Sequence, residues 1–63
     1  MEELKNYIYE QIQIAKVYKG NKSIVVIFQE RAFGAARFYD QINNTKQGMK
    51  IFEKNLDKFE NLY

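Results

Sequence analysis

Hydrophobic residues recur at helical spacing along three stretches of the chain. In the first, Leu4, Tyr7, Ile8, Ile12, Ile14, Ala15 and Tyr18 share one side. At about 100° per residue they span an arc of roughly 160°. That arc is wide enough for contact with two neighbouring helices, and Glu2, Asn6, Glu10 and Gln13 lie opposite it. The spacing predicts a helix near residues 2–19. A break follows at Lys19-Gly20-Asn21-Lys22-Ser23. Gly20 or Asn21 can adopt the left-handed conformation that ends a helix, and Ser23 is placed to cap the next one. Ile24, Ile27, Phe28, Ala35, Phe38, Tyr39 and Ile42 then form a second stripe, which predicts a helix near 23–42. The run Ile24-Val25-Val26-Ile27-Phe28 has the composition of a strand. A single strand finds no partner in this chain, however, and the helical phase continues for two more turns.

From about Lys46, the residues Met49, Phe52, Leu56, Phe59 and Tyr63 alternate steps of three and four, a short heptad seam that predicts a third helical segment to about residue 62. Asn43-Asn44-Thr45 leaves two readings open. Asn44 can cap a separate third helix, with Gln47 at its third position. Alternatively, the second helix runs on. Ile24, Phe28, Arg31, Ala35, Phe38, Ile42, Thr45, Met49, Phe52, Leu56, Phe59 and Tyr63 keep one unbroken rhythm, whereas a true turn frees the phase to change. Against continuity, two Asn, a Thr and Gly48 together cost about 2–3 kcal/mol of helix propensity. The absence of proline permits either arrangement.

Composition adds a constraint on assembly. A chain of 63 residues makes one domain, residues 1–63. A core of that size supplies about 3–5 kcal/mol without help. There is no Cys and no His, which closes the disulfide and zinc routes to extra stability. Self-association remains, and it agrees with a hydrophobic content of 46% that includes five Phe and five Tyr. The expected fold is therefore all-α: a helical hairpin plus a third helical segment, assembled as a homo-oligomeric bundle, with a dimer favoured. A net charge of +2 does not by itself argue for nucleic acid. Met1-Glu2-Glu3 has the wrong sign for a secretory signal. The longest apolar run falls far short of the ~20 residues of a membrane span. These features lead us to expect a cytoplasmic chain without membrane association.

The inventory for catalysis is thin. His and Cys are absent, and the lone serine, Ser23, is explained as a cap. Glu53 and Asp57 stand four apart but among lysines, and a metal site wants more carboxylates. Gly34 and Gly48 lie inside helical patterns, not in a phosphate loop. No enzymatic activity, cofactor or metal is expected. Two polar residues fall on apolar stripes, Gln11 and Arg31. Folding back around residues 20–21 places them opposite one another, which predicts a buried polar layer that fixes the hairpin register. The small residues Gly34-Ala35-Ala36 would let a neighbouring helix come close. Phe33 points away from the second stripe, beside Val26 and Arg37, in the manner of an interface hot spot. The alternative is that the third segment or a second subunit covers it. Val26, Phe33 and Arg37, with the seam residues Met49, Phe52, Leu56 and Phe59, make the candidate protein-binding or oligomer interface. Lys46, Lys50, Lys54 and Lys58 share one face, next to Glu53, Asp57 and Glu60. This is a solvated flank or, alternatively, a nucleic-acid-binding stripe assisted by Arg37.

The run Gln29-Glu30-Arg31-Ala32-Phe33-Gly34-Ala35-Ala36-Arg37-Phe38 resembles a segment of small uncharacterised open reading frames of phages and prophages from AT-rich Gram-positive bacteria. Usage rich in Lys, Asn, Ile and Tyr fits such a source. The resemblance covers these residues alone. It implies a helical hairpin, and it carries over no catalytic or binding residue. Together with the apolar excess, it points to a small non-enzymatic interaction protein that binds and inhibits or regulates a protein of a host or mobile element. The alternative is a small nucleic-acid-binding regulator using the Lys46–Lys58 face.

Overall fold

A computed structural model describes residues 1–63. It is all-helical, with 83% of residues in helix and no strand. In chain order the helices are α1 (Glu2–Val17), α2 (Lys22–Asn43) and α3 (Gln47–Glu60). The Ile24–Phe28 run is helical. The helices run up, down and up, and each packs against the other two. The molecule is 36 Å long and 16 Å across. At 1.5 Å per residue α2 alone reaches about 33 Å, so it sets the long axis. The chain closes on itself at one end, where the Gly20 N–H donates to the Leu62 carbonyl at 2.8 Å.

The first turn uses the residues expected of it, one of them in a different role. Gly20 has φ 89°, the left-handed conformation that suits glycine. Asn21, not Ser23, caps α2, and its Oδ1 accepts from the Ile24 N–H at 3.3 Å. Asn caps as well as Ser and here directly follows the left-handed residue, so the helix starts at Lys22 and Ser23 falls inside the first turn.

The second break resolves the open question in favour of two helices. Asn44 is left-handed (φ 50°, ψ 53°) and ends α2 instead of capping α3. Its N–H and that of Thr45 both donate to the Asp40 carbonyl. The orphan donors of α3 are then met from two sides. Thr45 Oγ1 accepts from the Gln47 N–H at 3.2 Å. The Asp40 carboxylate reaches across from α2, accepting from Gly48 N–H at 2.7 Å and Met49 N–H at 3.0 Å. A carboxylate at a helix N-terminus also meets the positive end of the helix dipole. Gly48 makes the approach possible: a Cβ there would lie 2.7 Å from both the Ala36 carbonyl oxygen and Asp40 Oδ1.

The core comprises Leu4, Ile8, Ile12 and Ala15 of α1, Val25, Ala32 and Ala36 of α2, Phe52 and Phe59 of α3, and Leu62. The face that α2 turns inward differs from the stripe expected of it. Ile27, Phe38 and Ile42 are exposed, and the column one residue further round, through Val25, Ala32 and Ala36, is buried. The reason is steric. α2 meets both α1 and α3, so the small residues sit where the neighbours close in. The bulky stripe is turned roughly 100° away. The close approach is made at Ala32 and Ala36, not at Gly34, which is exposed with open space where its Cβ would be.

Candidate protein-interaction surface

The α2–α3 side holds most of the interface residues expected from the sequence, and the chain has covered them itself. Phe52 and Phe59 are buried, and Met49, Leu56, Phe33 and Val26 are half-buried. Phe33 meets Phe52 edge to face, with ring centroids 5.5 Å apart. The exposed Arg37 guanidinium lies 5.7 Å over the Phe33 ring. The Met49–Tyr63 seam, where a second copy was expected to pair, is thus partly covered within the chain, and Phe33, Phe52 and Leu56 still line a pocket of about 260 Å³ with Gln29 and Glu30. A short connection returns α3 along α2, and the seam finds an apolar face on its own chain before it can meet another molecule. Phe33 is covered by α3, the plainer of its two sequence readings.

The expected polar layer does not form. Gln11 is buried, but its Oε1 has no hydrogen-bond partner. Arg31 is exposed and stands 5.3 Å over the Phe28 ring. The one-residue rotation of α2 turns Ala32 inward in place of Arg31.

On the α1–α3 side, Lys5, Asn6, Tyr9, Ile51, Lys54 and Asn55 line a polar groove. Lys46, Lys50, Lys54 and Lys58 are all exposed along α3.

The α1–α2 side carries the feature that stands out. Tyr7 (37% exposed), Ile14 (41%) and Tyr18 (40%) of the first hairpin arm and Ile27 (49%), Phe38 (62%) and Ile42 (64%) of the second are large hydrophobic side chains left open. Tyr18 stacks on Phe28, with centroids 5.9 Å apart and planes 16° from parallel. At the other end Leu4 and Tyr7 share a groove of about 290 Å³ with Ala35, Phe38, Tyr39 and Ile42. Sequence reasoning found these residues but assigned them to the interior. Their signal was the wide apolar arc of the first helix and the rhythm of the second, which marks an apolar face without saying what covers it.

No group of three or more His, Cys, Asp or Glu side chains converges as a metal site needs. No helix is long and apolar enough to cross a membrane. No protein-family model, no curated protein and no solved structure matches the chain.

Proposed function

We propose that this chain is a small non-enzymatic interaction protein that binds and inhibits or regulates a protein partner through its α1–α2 face. One observation carries the reading: six large hydrophobic side chains stand 37–64% exposed on a single side of a chain whose own apolar core numbers ten residues. With about 200 Å² presented by each large side chain when free, those fractions leave roughly 600 Å² of apolar surface open. That is at the top of what a monomer usually exposes, and contiguous surface of this kind marks an interaction site. The lack of His and Cys, with Ser23 inside a helix turn, supports a role without catalysis. A mobile-element origin agrees with the resemblance of Gln29–Phe38, and a cytoplasmic site of action belongs to the same reading. The test is affinity capture from cells that make the protein, comparing wild type with Phe38→Ser/Ile42→Ser. The reading expects partners that the wild type retains and the variant loses. Equal capture by both would overturn it.

A second reading rests on the α1–α3 groove, where Lys5, Lys54 and the exposed Tyr9 face the same space, in line with Lys46, Lys50 and Lys58 on α3. Cations beside an aromatic suit a nucleic-acid strand. Binding of single-stranded DNA that falls steeply with salt, and is lost in Lys50→Glu/Lys54→Glu, would support it. No binding at low salt would remove it.

A further inference from the structure

We infer that the occupant of the α1–α2 face is a second copy of this chain, seated so that Arg31 of each copy meets Glu10 of the other. The inference rests on the reading of this face as an interface: the second copy covers it in the free protein, and a regulated partner takes that copy's place. Three observations carry it.

The first is charge. The face contains one basic residue, Arg31, four residues after Ile27 and seven before Phe38 on the exposed stripe of α2. Acids border it, all on α1. Glu3 lines the groove beside Tyr7, and the exposed Glu10, on the polar side of the apolar arc, stands three residues after Tyr7 and four before Ile14, next to the edge of that arc. Within one chain Arg31 lies over the Phe28 ring. Such a face is complementary to itself. A two-fold operation returns the same patch to itself with the arms exchanged, so each basic stripe meets an acidic border and the pair forms twice.

The second is level. Tyr18 stacks on Phe28 at one end of the hairpin, and Leu4 and Tyr7 share a groove with Phe38 and Ile42 at the other. Counting inward from both ends puts Ile14 at the height of Arg31, with Glu10 one helical turn further along. A guanidinium on its long stem spans that offset across the interface.

The third is area. Roughly 600 Å² of open large-side-chain surface per copy gives about 1,200 Å² for a pair. The half-buried Ile24, Phe28 and Ala35 and the Arg31 stem on the same stripe add to this. The sum enters the range of specific, stable interfaces, about 1,200–2,000 Å². The pairing also supplies the core that 63 residues without disulfide or metal lack.

Sedimentation equilibrium of the full chain tests this. The wild type is expected near 15 kDa, twice the 7.6 kDa of one chain, at micromolar concentrations. Phe38→Ser/Ile42→Ser is expected to run as a 7.6 kDa monomer of unchanged helicity. Arg31→Glu should weaken the dimer about 10-fold or more, and Glu10→Arg/Arg31→Glu should restore it to within about 3-fold, since the swap rebuilds the pair. A wild type that stays at 7.6 kDa up to millimolar concentration overturns the inference. So does a dimer indifferent to Phe38→Ser/Ile42→Ser. A double charge swap no better than Arg31→Glu overturns the Arg31–Glu10 seating. The failures are separable. A monomer whose capture of other proteins still needs Phe38 and Ile42 sinks the second copy and leaves the interaction surface standing.

Discussion

At the scale of single residues, Gly48 and Gln11 define opposite kinds of sensitivity. Gly48 is the point where α3 rests on the backbone of α2, and a methyl group there has nowhere to go, because the Ala36 carbonyl cannot swing aside as a flexible side chain would. Gly48→Ala gains helix propensity yet is expected to lose about 1–3 kcal/mol through the clash. A lowered urea midpoint would check this. Gln11 is the reverse case. Its Oε1 is buried without a donor, and replacing it with an apolar chain of similar length removes that penalty. Gln11→Met is expected to stabilise by about 1 kcal/mol. Calorimetry should show this as a rise of about 4–8 °C in melting temperature. Gln11 was legible in the sequence as a polar residue on an apolar stripe. Its supposed partner was not, because turning α2 by one residue moves Arg31 from the interior to the surface, and periodicity fixes which residues share a face but not which way that face points.

At the scale of the helices, the ends of α1, the start of α2 and the helical character of the rest followed from spacing and turn chemistry. The break at Asn43–Thr45 did not. The preserved rhythm across it joined two faces with different fates: Phe38 and Ile42 look outward, and Phe52 and Phe59 look inward. What ends α2 is the left-handed Asn44, and what starts α3 is Asp40, whose carboxylate acts eight and nine residues away in sequence. No local pattern announces a cap delivered across a turn. Asn44→Ala is expected to cost about 1 kcal/mol because alanine lacks the short polar side chain that lets asparagine tolerate positive φ, and Asn44→Gly should cost nothing or stabilise slightly because glycine has no β-carbon. The order of the two melting temperatures checks it. Asp40→Ala should cost about 1–2 kcal/mol. Hydrogen exchange at the Gly48 and Met49 amides should quicken ahead of the rest of α3, because those two N–H groups lose their acceptor.

At the scale of the whole molecule, the C-terminus acts as a clasp. Leu62 is buried, its carbonyl accepts from Gly20 at the α1–α2 turn, and Tyr63 donates its hydroxyl hydrogen to Gln29 Oε1 while Lys22 lies 5.1 Å over its ring. Leu62→Ala is expected to cost about 2–3 kcal/mol, more than a fraying end would, because it opens the junction of all three helices. The sequence, 46% hydrophobic, led us to expect more apolar surface than 63 residues would hide. It did not show which part stays outside, since that depends on α1 and α3 competing for α2. α3 wins its own seam, and the hairpin face is left over. Circular dichroism melting over about a 100-fold range of concentration, for the wild type and for Phe38→Ser/Ile42→Ser, tests this most directly. Association makes the melting temperature depend on concentration. The wild type should melt higher as it is concentrated, and the variant should melt at one temperature, equal to the dilute limit of the wild type. A variant that melts far below that limit would place Phe38 and Ile42 in the core, and two identical concentration-independent melts would leave the face with no second copy to cover it; either result contradicts the account.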